Sequence, residues 1–415
     1  MADHYDAHSQ YQRAVADTGA SRIVECVDAV SIGEHETFVV ADYGAATGVN
    51  SMAAVRAVVE AVRERRRAQP VAALHNDLPS NDWNTLFRNV ESSPDSYRTV
   101  KGPAVVTLAS AISFFEPAAP SGVVHLGMSF SAAHWLRTQP SVTVPNGFYF
   151  CEATGATRDA LVEQADRDWT AFLAARAADL APGGRLLVQM VGTDADGNVT
   201  ARKLLRAMAD VAGDMARAGL LDAGAVDRYI LAAYARTVEE VRAPYATSGS
   251  VFHDVFTEIE CRTDPVPNPY FTKWEADHDA DAYANSYAAF VRGFTESSLR
   301  EHLFTPGVND GTVDAALDDY FARVTARFAA DPARGSIRGL DAHRRTATQL
   351  REGPRWTTYR TRWRWSPAAR AASGSGSPAR CSRRDAVSSS PTWRRPHSRR
   401  PSPSSTPARP GGSTA

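Results

Sequence analysis

The chain has 415 residues, 43% hydrophobic and 22% charged, with a formal net charge of −1, which excludes wholesale disorder, a collagen-like repeat and a globally basic nucleic-acid-binding protein. The near-neutral total is a cancellation: beyond residue 350 fourteen arginines stand against Glu352 and Asp385, so that tail carries +12 and residues 1–350 carry −13. There is no run of ~18 apolar residues to span a bilayer, MADHYDAHSQYQR lacks a signal-peptide layout, and Cys26, Cys151, Cys261 and Cys381 form no CxxC pair, so the expected site of action is the reducing cytoplasm.

In chain order, ETFVVADYG (36–44) reads as a strand and SMAAVRAVVEAVRERRR (51–67) as a helix with a basic last turn. VAALHND (71–77), AVVTLAS (104–110) and SGVVHLGMSFS (121–131) read as further strands, followed by a helix over 157–181 that stops at Pro182-Gly183-Gly184 and a fifth strand to 192. Strand, helix, strand in this rhythm predicts an α/β parallel sheet. From 200 to 345 the pattern is mainly helical, with a returning strand in GSVFHDVFTEIECR (249–262).

Two turns carry the chemistry. ADYGAATGVNS (41–51) runs from a strand end through Gly44 into a helix start, where open α/β sheets hold their ligands; it is not GxGxxG, and a mere strand-to-helix turn competes evenly with a ligand site. HNDLPSNDWNTLFR (75–88) puts Asp77 at the end of the second strand, suited to accept ribose hydroxyls, although it stands 35 residues after Asp42 rather than the roughly 20 typical of dinucleotide folds, and DLPSND is also good turn chemistry by itself. Asn81, Asp82 and Asn84 are expected to fix the turn, with Trp83, Leu86 and Phe87 anchoring it to the core.

YDAHSQYQ (5–12), DYGAATGVN (42–50), HNDLPSNDWNTLFR (75–88), SFFEPAAPSGVVHLGMSFSAAHWLRTQP (113–140) and DWTAFLAARAADLAPGGRLLVQMVG (168–192) resemble, in that order, the SABATH methyltransferases, and point to a bacterial-type member. The resemblance implies a Rossmann-like class I S-adenosylmethionine (SAM)-dependent methyltransferase sheet with a helical cap: a SAM-binding core with an N-terminal substrate and cofactor segment over 1–200, a cap with returning strands over 201–345, and a tail over 346–415. It assigns cofactor contacts to Tyr5, Ser9, Asp42, Gly44, Asn50, Asp77, Leu78, Ser113 and Phe114, and acceptor contacts to Gln12, Ser131, His134 and Trp135. For His134 the family position favours the pocket wall over a packed, satisfied side chain. Ser131 stands where the family has tyrosine, and Ala45-Ala46-Thr47 replaces its Gly/Ser-rich turn.

The implied reaction is methyl-ester formation on a small carboxylic acid. A carboxylate is already a nucleophile at neutral pH, so alignment is needed more than a base, and neither a catalytic triad nor a metal is expected. The alternatives are N-methylation of a small heterocycle on the same fold and a catalytically silent SAM-binding protein. The expected partner is the small acid, with no nucleic acid and no membrane, and a homodimer is compatible with the fold. VRERRRAQ (62–69) reads as a solvated helix end, WEADHDADAY (274–283) as an acidic surface loop and Cys151 as a core thiol. The Arg/Ser/Pro-rich chain beyond about 346 is expected to be disordered, of the kind a shifted reading frame in a GC-rich gene would produce, the alternative being a genuine basic tail for nucleic acid or an anionic surface.

Overall fold

The computed structural model describes residues 22–332 and 355–365. Its strands are β1 (Phe38–Tyr43), β2 (Val71–Asp77), β3 (Val105–Ala111), β4 (Val124–Phe130), β5 (Leu180–Val191), β6 (Phe256–Pro267) and β7 (Arg355–Trp365). They form one sheet in the order β3-β2-β1-β4-β5-β7-β6. The first five are parallel, and β7 enters antiparallel between β5 and β6.

The apolar runs of β1, β2 and β4 are buried because both faces of the sheet are covered, the usual condition of a parallel sheet. On one face, α1 (Val49–Arg65) lays down Met52, Val55, Val58, Val59 and Val62, a helical-spacing stripe packed with Val40, Ala73 and Leu126. On the other, α3 (Gly155–Asp179) contributes Trp169, Phe172 and Leu173 against Tyr43, Leu186 and Val188. α2 (Trp83–Ser92) follows the turn after β2.

A second core lies among α4 (Arg202–Arg217), α5 (Ala223–Arg228), α7 (Pro269–Asp277), α8 (Ala280–Leu299) and α9 (Val313–Ala330), where Met208, Tyr287, Phe304 and Tyr320 are buried together; a short α6 (Val238–Arg242) precedes β6. WEADHDADAY is therefore no loop. It is the end of α7, a left-handed His278, and the Asp279 N-cap whose side chain accepts the Ala282 N–H at the start of α8.

Three further expectations change. α3 ends at Asp179, before Pro182, and the Pro-Gly-Gly stretch lies near the start of β5, beside the register shift between Val124 and Leu126. Arg63 in VRERRRAQ is buried, bonding the carbonyls of Gln69 and Pro103. Residues 355–365 form a strand, which corrects the expectation of disorder from 346 onward. RWTTYRTRWRW is rich in aromatic and β-branched residues, whose strand preference does not need leucine. The rest of the tail, residues 346–354 and 366–415, lies outside the described residues.

A chain ending at residue 345 would leave the facing edges of β5 and β6 unpaired. Its melting temperature is expected to fall by about 5 °C or more, while a chain ending at Ala372 should melt within about 2 °C of full length, as followed by circular dichroism.

Candidate functional site

The chain leaves β1 for β2 on one side and reaches β4 on the other, so the strand order reverses beside β1, and a crevice opens at the carboxyl ends of the strands there. A cavity of about 350 Å³ occupies it, walled by Asp42 and Gly44 after β1, Asn50 and Ser51 on α1, Asp77 and Leu78 after β2, Ser113–Phe115 after β3, and Phe130–Ala132 with Trp135–Arg137 after β4.

The β1–α1 turn is built by β2. The N–H groups of Gly44 and Ala45 donate to the Asn76 carbonyl at 2.9 and 3.1 Å, and the Asn76 amide donates to Ser110 and Ile112 carbonyls at 2.9 and 2.8 Å, tying β2 to β3. Asp77 Oδ2 accepts the Ala46 N–H and its Oδ1 accepts the Leu78 N–H, both at 2.7 Å. Asn81 and Asn89 donate to the Ala46 and Thr47 carbonyls at 2.8 and 2.9 Å. Asp82 caps α2 through the Thr85 N–H at 3.0 Å. Leu86 is buried as expected, but Phe87 faces outward at 40% exposure and anchors nothing, because one residue on a helix turns the side chain about 100° away.

Gly44 adopts φ +92°, and a Cβ there would come within 2.3 Å of the Ala132 Cβ. Both the backbone conformation and the close approach of the β4 loop require glycine.

The two acids differ in environment. Burial pushes the Asp42 carboxyl up to about 7, opposed by a hydrogen bond from the Ser51 hydroxyl and reinforced by the charge of Asp77. Its Oδ2 is buried without a partner among the described residues. Asp77 is also raised by burial, with its two backbone N–H bonds pulling it back toward the charged form.

Sequence reasoning missed the ion pair under the Ser113–Phe114 wall. Arg176 and Asp179, fully buried at the end of α3, meet at 2.9 Å. Arg176 bonds the carbonyls of Phe114 and Glu116 at 2.8 and 2.9 Å, and Asp179 accepts the N–H groups of Ala118 and Ala119 and the Tyr43 hydroxyl. Asp179 closing an Ala-rich helix was the available signal.

On the β4 side the wall has Ser131, in a left-handed conformation at φ +55°, then Trp135 and Arg137. His134 is not on it. Its ring lies against Trp135 at 5.1 Å, it is buried, and burial together with the nearby Arg236 charge pushes it down to about 3. The reason is the loop's direction: buried Arg236 donates to the carbonyls of Ala133 and Ala165 at 3.2 and 2.7 Å and holds position 134 inward. Arg137, absent from the expected set, is the one basic side chain on the wall among the described residues; its loose 3.8 Å pair with Glu116 is half exposed. Asp42, Gly44, Asn50, Asp77, Leu78, Ser113, Phe114, Ser131 and Trp135 are thus brought to one cavity, whereas Tyr5, Ser9 and Gln12 lie outside the described residues.

Residues 2–334 match the family described as SAM dependent carboxyl methyltransferase. Gibberellic acid methyltransferase 2 of Arabidopsis thaliana is 31% identical over 228 residues, spanning 49% of this chain and 58% of that protein. Probable jasmonic acid carboxyl methyltransferase 2 of Theobroma cacao is 24% identical over 350 residues, 77% of this chain and 88% of that one. The solved structure of loganic acid methyltransferase with SAH shares the fold, with a TM-score of 0.68 at 21% identity over 88% of this chain and 97% of that one.

Gly44→Ala is expected to lower the melting temperature by about 5 °C or more, because the clash with Ala132 adds to the left-handed strain. Gly155→Ala, also left-handed but facing open space, should cost less than half of that shift in the same scanning-calorimetry series.

Proposed function

The chain belongs to the SAM dependent carboxyl methyltransferase family, and from that premise we propose that its cavity holds SAM toward β2 and β3 and a small carboxylic acid toward β4. The protein is a SAM-dependent methyltransferase that methylates a carboxylate oxygen. The wall residues fit the cofactor: a buried, unpartnered carboxylate oxygen on Asp42 suits a cationic amino group, and the left-handed Gly44 lets a ligand lie close to the backbone. SAM, when bound, supplies a methyl group on a positively charged sulfur.

In this reading each Asp77 oxygen, already oriented by one backbone N–H, uses its remaining lone pair for a ribose hydroxyl. Leu78, half exposed on the cavity wall, and Phe114 flank the adenine, with Ser113 and Asn50 completing the polar contacts. Tyr5, Ser9 and Gln12 would close the site from the N-terminal segment. The Trp135 indole N–H and the Arg137 guanidinium orient the acid, and neither can protonate it at neutral pH. No base is required, because the acceptor oxygen already carries the electron pair that forms the new O–C bond.

The observation that carries this reading is the sorting of charge on one wall: two carboxylates beside an apolar slot at β1, β2 and β3, and a single guanidinium beside a tryptophan after β4. Reading the site as an N-methyltransferase would give His134 a role as base or ring contact, and that side chain is held off the cavity.

Isotope-labelled SAM and a library of small carboxylic acids, analysed by mass spectrometry, should yield methyl esters; label appearing only in heterocycles would replace the acceptor assignment. Asp77→Ala is expected to weaken S-adenosylhomocysteine (SAH) binding about 10- to 100-fold by calorimetry, the loss of hydrogen bonds to a charged group. For the best acid in the library, Arg137→Met should raise KM about tenfold with kcat changed less than about threefold.

A further inference from the structure

A row of polar side chains, buried up to its half-buried last member Thr107, runs away from the cavity toward the edge of the sheet. The Ser51 hydroxyl bonds the Asp42 carboxyl and lies 3.1 Å from His75 Nδ1. His75 Nε2 lies 3.0 Å from the Tyr97 hydroxyl, which lies 2.9 Å from the Thr107 hydroxyl on β3. His75 and Tyr97 are completely buried and Ser51 and Asp42 nearly so.

We propose that Thr107, Tyr97, His75 and Ser51 are positioning residues, a one-way hydrogen-bond chain that ends on Asp42 and keeps its carboxylate charged for the amino group of the cofactor. The direction follows from the donor inventory. An ionised Asp42 only accepts, so Ser51 spends its single proton there and must itself accept from His75 Nδ1–H. A neutral imidazole with Nδ1 protonated has a bare Nε2, which takes the Tyr97 proton, and the Tyr97 oxygen then accepts from Thr107. Every donor points toward the cavity.

Burial holds His75 neutral, down to about 4, so it adds no charge of its own. Of the groups around Asp42, Asp77 opposes its ionisation, the Tyr43 hydroxyl is committed to Asp179, and Arg137 stands on the same wall. Asp77 takes its own hydrogen bonds from Ala46 and Leu78 and is independent of the chain. Because Asp42 sits near 7, affinity for a cationic group should rise with pH through neutrality, and the chain decides where that rise falls.

The proposal rests on the cofactor reading of the cavity, and two readouts separate them. Nitrogen-15 NMR of the ligand-free protein should show His75 as the neutral Nδ1–H tautomer at about pH 8; an Nε2–H tautomer there would overturn the chain whatever the cavity binds. SAH titrations from about pH 6 to 9 should give a midpoint near 7 for the wild type, raised by roughly one unit in His75→Leu and in Tyr97→Phe, and restored in His75→Asn, whose amide N–H takes the place of Nδ1–H. A midpoint common to all four proteins would refute the positioning role. Tyr97→Phe preserves the core volume and keeps the test open should His75→Leu not fold. Wild type that does not bind SAH would remove the cofactor reading, leaving the tautomer to decide the chain by itself.

Discussion

The site depends on how the end of β2 grips the turn after β1. One main-chain carbonyl, that of Asn76, takes both the Gly44 and Ala45 N–H groups, and one carboxylate, that of Asp77, takes the Ala46 N–H as well as the Leu78 N–H. These are charge-assisted or nearly buried bonds at the open end of a parallel sheet, where backbone groups otherwise have no ladder partner. The middle of the cavity wall takes its place from that grip: the glycine that lets β4's loop close to within contact, the start of α1 with Ser51, and the proline turn that sets Leu78 on the rim.

Two buried arginines do the same for the flanking walls by another route. Arg176 spans the carbonyls after β3, and Arg236 spans carbonyls on the β4 loop and α3. In each case a guanidinium supplies several donors to loop carbonyls that have lost water. The compensation differs: Arg176 has an ion-pair partner in Asp179, whereas burial lowers Arg236 to about 10 with Glu240 and Asp168 opposing that shift from nearby. The His134 ring is the casualty of this arrangement, turned inward by the same carbonyl contact that fixes its neighbours.

Much of the fold was legible because a doubly covered parallel sheet writes itself as unbroken apolar runs. VAALHND coincides with β2 to the residue, and the helical stripes of α1 and α9 follow their spacing. The stretch over 355–365, which has no aliphatic residue, is illegible in those terms. Its strand consists of arginine, threonine, tryptophan and tyrosine, and it exists because β5 and β6 present two edges with room for one antiparallel partner between them. Phe87 misleads for the opposite reason: beside the buried Leu86 its apolar side chain reads as core, and the helix turns it outward.

The sequence alone determined which strand ends carry acids and which turn carries glycine, because these follow from local spacing, and resemblance to a family motif set Trp135 and Leu78 beside them. Tertiary structure alone decided which way His134 faces, that Arg137 reaches the wall, that Arg176 and Asp179 support Phe114, and that Ser51, His75, Tyr97 and Thr107 form a row. Those relations join residues far apart in the chain, and their polarity depends on burial, which no single stretch of chain contains.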